Sequence, residues 1–161
     1  MQMPELRRAL EELHGPSFGW AMTCCGFDRA MAEDVLHSAY LKVLDGSARF
    51  GGRASFKTWF FGVIRNSAAQ HRRAAWFRFW DAAPAPVARP DDEAEHAEQR
   101  AQIRRALASL PARQREVLDL VFYQGFTIDD AAQVIGVSVG SARTHYQRGK
   151  SALLKVLEVM P

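Results

Sequence analysis

Residues 127–150 read TIDDAAQVIGVSVGSARTHYQRGK, the pattern of two short helices joined by a tight turn. Thr127 is suited to cap the first helix with its hydroxyl, and Asp129 and Asp130 fall in the first turn, where carboxylates favour the positive helix end. Ile128, Ala131, Ala132 and Ile135 recur at helical spacing and supply one buried side. Gly136 stands where that helix must end, because a residue without Cβ tolerates positive φ. Val137 plugs the turn, and Ser138 caps the next helix. From Val139 onward Ala142, Tyr146 and Leu153 fall on the inner side, leaving Arg143, Thr144, Gln147, Arg148 and Lys150 outside. No carboxylate occurs between Ala131 and Leu157. A helix that opens on small residues (Ser138, Gly140, Ser141) and carries a basic flank is one that the major groove of duplex DNA admits. The small residues let backbone approach phosphate, and Arg143 and Arg148 can reach base edges or phosphate. The rival is a helical hairpin with a solvated basic face; the succession of cap, alanine, glycine and cap in register argues against it.

Two helices are expected to support this unit. One runs from Gln99 to Leu110 and ends at Pro111; the other runs from Ala112 to Tyr123 and buries Val117, Leu118, Val121 and Phe122. Gly125 ends it, Phe126 packs behind the turn, and Leu153, Leu154, Val156 and Leu157 close the tail. Upstream, DAAPAPVAR (81–89), Pro90 and the acidic run that follows read as an extended linker.

Before the linker, Pro4 to Leu13 forms a helix with Leu6, Leu10 and Leu13 as its apolar stripe, interrupted by His14, Gly15 and Pro16. Phe18 to Cys25 is a second apolar segment, closed by Gly26. Met31 to Asp45, entered through Asp28 or Ala30, points Val35, Leu36, Ala39, Tyr40, Val43 and Leu44 at a core. Glu33 and Asp34 suit that helix's N-terminus electrostatically; the alternative is a carboxylate pair facing a basic partner. Gly46 to Ala54, GSARFGGRA, is a flexible loop with Phe50 in its middle, a ring that either docks on its own core or stacks on an unpaired base. Ser55 then caps a long helix whose Phe56, Trp59, Phe60 and Val63 form one face, extended by Ile64 and Ala68. Arg65, Asn66, Ala69, Gln70 and Arg73 follow another stripe.

From Gly46 through Trp80 there is no acidic residue, whereas Arg49, Arg53, Lys57, Arg65, Arg72, Arg73 and Arg78 are all present. That is the footprint of a polyanion partner, favoured over an anionic membrane or a merely solvated face. Trp76, Phe77, Phe79 and Trp80 form an aromatic cluster expected to pack the helix end onto the first domain, the alternative being stacking on bases or binding a partner protein.

Length and composition agree with this layout. The 161 residues, 48% hydrophobic, suffice for packed cores, and the net charge of +3 matters less than its concentration on either side of an acidic segment. Cys24 and Cys25 are adjacent in an apolar run with no third cysteine, which predicts buried reduced thiols and no metal site. The charged N-terminus lacks a signal-peptide core and no stretch reaches the length of a membrane span, so a cytoplasmic protein without membrane insertion is expected. No β-rich segment appears; the fold class is all-α, two small helical domains joined by a Pro/Ala-rich acidic linker, the second containing a helix-turn-helix. The expected boundaries are 1–80, a linker at 81–97, and 98–161.

Two stretches resemble one family. SLPARQREVLDLVFYQGFTIDDAAQVIGVSVGSARTHYQRGKSALLKVL is similar to region four of bacterial sigma-70-type sigma factors, and AEDVLHSAYLKVLDGSARFGGRASFKTWFFGVIRNSAAQHRR resembles their region two. With only a short linker between, the layout is that of the extracytoplasmic-function (ECF) type. The resemblance implies a non-enzymatic factor without cofactors whose partners are core RNA polymerase, through its beta-prime clamp helices and beta flap, and promoter DNA, with an anti-sigma factor as a further candidate. It brings forward Glu33, Asp34, Leu36, His37 and Tyr40 for polymerase docking. For the minus-ten element it implicates Phe50, Arg53, Lys57, Arg65, Asn66, Gln70 and Arg73, around a captured base. For the minus-thirty-five element it implicates Ser138, Gly140, Ser141, Arg143, Thr144, Gln147 and Arg148. The sequence departs from the family pattern at His37, Ser38, Gly51, Arg53, His145 and Gln147, so promoter sequence does not carry over. Two rivals are a stand-alone helix-turn-helix regulator, for which no heptad dimer segment is visible, and a helical enzyme built on His37, Glu33 and Asp34, which lack a metal-ligand signature.

Overall fold

The computed structural model describes residues 1–79 and 96–159, with no strand among them. The chain divides into two compact units, Met1–Pro86 and Val87–Pro161. Most of the expected linker lies outside the described residues, and its last two positions, 96 and 97, already belong to a helix.

The first unit contains α1 (Met3–Glu12), α2 (His14–Cys24), α3 (Arg29–Leu44) and α4 (Phe56–Phe79). Gln2 and Glu5 close a capping box around the start of α1. The break expected over 14–16 is confined to Leu13: α2 starts at His14, and Pro16 sits in its first turn, where a missing N–H costs nothing. Asp28 accepts a hydrogen bond from the Met31 amide at 3.1 Å to cap α3, and Ser55 accepts from the Thr58 amide at 3.1 Å to cap α4.

Helices α2, α3 and α4 pack against one another. Trp20 is fully buried, stacked on Phe61 with centroids 5.8 Å apart, and its Nε1 donates to the Phe61 carbonyl at 2.9 Å. On the other side Phe60 stacks on Tyr40 at 5.7 Å. Because α4 is flanked by two helices, its buried arc widens to Phe60, Phe61, Ile64 and Ala68, while Val63, expected on the core face, is half-buried. From α3 come Ala32, Val35, Leu36, Ala39 and Val43; Leu44, expected inside, is exposed. Cys24 and Cys25 are buried, and no disulfide links them.

The second unit contains α5 (His96–Ala108), α6 (Ala112–Leu118), α7 (Ile128–Ile135) and α8 (Val139–Val159). The helix expected to run unbroken from 112 to 123 instead passes into a π-helical turn, Asp119–Tyr123, closed by the Gln124 amide donating to the Asp119 carbonyl at 3.1 Å. One extra residue in the turn rotates every later side chain. Leu120 is therefore fully buried, Val121 is half-buried, and Phe122, expected inside, is 57% exposed. Phe126 is buried behind the turn as expected. On α8 the inner stripe runs through Ala142, Gly149, Leu153 and Val156, and Leu154 and Leu157 stand exposed on its flank.

Candidate nucleic-acid interface

The helix-turn-helix follows the sequence closely. Thr127 Oγ1 accepts from the Asp130 amide at 3.1 Å, and Gly136 ends α7 at φ 71°, ψ 38°. The amides of Gly136 and Val137 both donate to the Ala132 carbonyl, at 2.9 and 3.1 Å, which ties the turn to the last turn of α7. Ser138 Oγ accepts from the Ser141 amide at 3.1 Å and donates to Ser141 Oγ at 3.1 Å. Ser138 is thus a residue that sets the entry of α8, its hydroxyl engaged within the helix. Thr144 Oγ1 donates to the Gly140 carbonyl at 3.1 Å, which leaves its methyl and lone pairs outward.

Ser138 at the cap of α8 and Gly140, Ser141, Arg143, Thr144, Gln147 and Arg148 on its first three turns are all exposed. Tyr146, expected inside, is half-buried: Phe122 stacks on it at 5.7 Å and Lys150 Nζ lies 5.9 Å from its ring centre. These rings and Lys150 border the basic face.

In the first unit, Phe50 takes the inward option left open by its sequence. It is half-buried, 5.5 Å from Phe56 in edge-on geometry and 5.4 Å from Trp59, so the loop is pinned to the start of α4 by three rings. Asp45 Oδ1 accepts from the Ser47 amide at 2.8 Å, the Ala48 amide donates to the Lys42 carbonyl at 2.9 Å, and Arg49 Nε donates to the Gly46 carbonyl at 3.3 Å. Hydrogen bonding to Ser47 holds the Asp45 carboxyl below its ordinary range. Arg53, Asn66, Gln70 and Arg73 are exposed; Lys57 and Arg65 are half-buried, Lys57 Nζ lying 5.6 Å from the Phe61 ring centre. Asn66, Gln70 and Arg73 share one stripe of α4, at steps of four and three.

Two cross-links between α3 and α4 were not read from the sequence. Ser38 Oγ is 3.0 Å from His71 Nε2, and one turn away Lys42 Nζ donates to Ser67 Oγ at 3.0 Å and to Gln70 Oε1. The only sequence signal was polar residues one helical turn apart on each helix, 38 with 42 and 67 with 71.

The docking set on α3 divides. Glu33, Asp34 and His37 are exposed, Glu33 in a surface pair with Arg29 at 3.3 Å. Tyr40 is half-buried; its hydroxyl is 2.8 Å from His14 Nδ1, and burial raises its pKa. Leu36 is 4% exposed and belongs to the core, which corrects its assignment as a contact residue. The exposed leucines of this helix are Leu41 and Leu44, four and seven residues after His37 and on its face. Trp76, expected to pack inward, is 65% exposed; the side chains of its neighbours Phe77 and Phe79, and Trp80, fall outside the described residues. Among the described residues no cluster of His, Cys, Asp or Glu could hold a metal, and no helix is long and apolar enough to cross a membrane.

A helix-turn-helix with an exposed, carboxylate-free flank in one unit and an acid-free basic helix and loop in the other are the make-up of a two-unit, DNA-binding transcription factor. Family models agree: Sigma-70 region 2 matches residues 11–78, and Sigma-70, region 4 matches residues 100–153. The chain belongs to the sigma-70 family and is an RNA polymerase sigma factor of the ECF type.

It is 30% identical over 148 residues to the ECF RNA polymerase sigma factor SigX of Bacillus subtilis (strain 168), covering 83% of this chain and 74% of that protein. It is 32% identical over 149 residues to the ECF RNA polymerase sigma factor SigL of Mycobacterium tuberculosis (strain ATCC 25618 / H37Rv), covering 88% and 84%. Among solved structures it is similar in fold to the sigma factor RpoE of Bartonella quintana, determined in complex with the anti-sigma factor NepR, with TM-score 0.81, 22% identity and coverage of 98% and 99%. It is also similar in fold to CnrH, determined with the cytosolic domain of CnrY, with TM-score 0.70, 20% identity and coverage of 99% and 92%.

Proposed function

We propose that the two units divide promoter recognition between them: α8 reads the upstream element as intact duplex, and the loop and exposed stripe of α4 hold the strand opened at the downstream element. The observation that carries this reading is the exposure of all seven α8 candidates on one short helix segment with no carboxylate nearby. A single helix makes few phosphate and base contacts, so each unit alone binds weakly. Tethering both on one polymerase turns two weak contacts into one selective one, by effective concentration. Glu33, Asp34, His37, Leu41 and Tyr40 supply an acidic and apolar face on α3 for the polymerase clamp, and the catalysis belongs to the polymerase.

On the opened strand, Asn66 and Gln70 offer amides, and the Phe50, Phe56 and Trp59 cluster walls one side of the site. Unstacking a base costs a few kcal/mol, which polar contacts from this stripe offset. The boundaries 1–80 and 98–161 then mark a downstream-element and an upstream-element domain. An anti-sigma protein is a further partner in this reading, of the kind bound by the Bartonella quintana relative.

The test is transcription with purified core polymerase on a genomic library, followed by start-site mapping. Failure to redirect start sites overturns the reading. Arg143→Ala is expected to relax discrimination at one upstream base pair by about 1 to 3 kcal/mol; unchanged base preference there removes Arg143 from the reading set. Asn66→Ala is expected to impair promoter opening by about 1 to 3 kcal/mol while closed-complex binding holds. Equal loss in both assays counts against strand capture by α4.

A further inference from the structure

The Lys42 cross-link fixes more than the packing of α3 on α4. We propose that Lys42 is a positioning residue that locks the Gln70 carboxamide, so that the side chain shows the opened strand only its NH2 end and selects a base with a carbonyl edge over one with an amino edge. This rests on the reading that the α4 stripe meets the opened strand.

The chemistry of the donor forces the orientation. An ammonium has three N–H donors and no acceptor, so the Gln70 atom facing Lys42 is the carboxamide oxygen and never the NH2 group. The contact is present as Lys42 Nζ donating to Gln70 Oε1, and the same ammonium donates to Ser67 Oγ, which is fully buried. Lys42 itself is half-buried, and its carbonyl holds the first turn of the loop through the Ala48 amide. Its stem is therefore fixed at both ends of the residue, and a charge-assisted hydrogen bond holds the amide in one of its two flips. Gln70 is exposed one turn beyond Asn66, so its Nε2 end is presented at the surface the strand would meet.

A glutamine free to use both ends reads adenine, accepting from N6 and donating to N7. With Oε1 turned toward Lys42 on α3 and one of its two lone pairs occupied, that two-point match is weakened. The groups facing away from Lys42 are the two N–H donors, which suit O6 of guanine or O4 of thymine and meet the exocyclic amines of adenine and cytosine donor to donor.

The experiment uses holoenzyme reconstituted with core polymerase and a promoter library randomised across the opened positions of the downstream element, read as relative transcript yield. The native protein and Lys42→Arg, which keeps a donor, are expected to share one position at which guanine or thymine is preferred over adenine or cytosine. Lys42→Met is expected to reduce that preference about 5- to 10-fold and to have no effect when combined with Gln70→Ala. Gln70→Glu keeps an acceptor for Lys42 but shows the strand a second acceptor, so the preference is expected to invert toward adenine or cytosine. This variant alters an exposed side chain, so it decides the question if Lys42→Met proves unstable. A change with Gln70→Ala but none with Lys42→Met or Gln70→Glu overturns the lock and leaves strand capture standing. No change with any of them removes Gln70 from the strand, and with it both the lock and its part of the capture site.

Discussion

Trp20→Ala is expected to cost the first unit about 3 to 5 kcal/mol, read as a shift of the denaturant midpoint in the full-length protein at unchanged slope. Trp20 is fully buried between α2 and α4, so the truncation removes the ring that Phe61 stacks on and leaves a cavity that three helices must close over. It also deletes the donor to the Phe61 carbonyl. A net stability of 5 to 15 kcal/mol is typical of a whole domain, so a loss of this size brings a unit of this length near unfolding. Trp20→Phe keeps an aromatic body and loses the donor, and is expected to cost about 1 to 3 kcal/mol. Hydrogen-exchange protection should fall in α2, α3 and α4. Indifference of the midpoint to Trp20→Ala would mean that this ring is not the keystone of the first core.

The second large effect is expected at Gly149, which is buried on α8 where that helix crosses α6. A Cβ placed there would lie 3.1 Å from Gln114 Cβ, 3.2 Å from Leu118 Cδ1 and 3.3 Å from the Gln114 carbonyl oxygen. Carbon atoms in contact prefer about 3.5 to 4.0 Å, and a helix carbonyl cannot rotate aside as a side chain can. Gly149→Leu should therefore force α8 away from α6 and destabilise the second unit by about 1 to 3 kcal/mol or more. Gly149→Ala adds the same Cβ but gains about 1 kcal/mol of helix propensity, so its net effect is expected to be smaller. Because α8 also carries Arg143, Gln147 and Arg148, footprint protection over the upstream element should weaken in Gly149→Leu. Polymerase binding through the first unit should persist. Ser151→Leu, an exposed position two residues on, is the control expected to leave both properties intact. Equal stability of Gly149→Leu and Ser151→Leu would show that the crossing tolerates a side chain.

Gly149 also marks a limit of the sequence. Gly136 was legible because its role is local: it ends α7 at positive φ, and the caps at Thr127 and Ser138 on either side announce the turn. Gly149 lies in mid-helix, where glycine has no local reason to be, and its reason is a neighbour 35 positions earlier in the chain. The same division runs through the apolar residues. Phe122 fitted the buried face of an α-helix, and a single π-turn, which buries Leu120, put it outside. Leu36 stood both on the expected core face and in the expected docking set, and only the packing of α3 on α2 and α4 decided that it is core while Leu41, which no sequence pattern singled out, is surface.

By itself the sequence determined the all-α class, the helix-turn-helix with its caps and turn, the acid-free basic stretch and the match to both sigma regions. All of these depend on residues a few positions apart, whose effects are exerted through local hydrogen bonds, helical periodicity and summed charge. The tertiary structure alone decided which way Phe50 faces, what Tyr40 bonds to, and that Lys42 reaches Ser67 and Gln70. Those contacts join residues 6 to 28 positions apart in directions set by how helices cross and which rings they enclose, a property of three-dimensional packing that no one-dimensional period encodes.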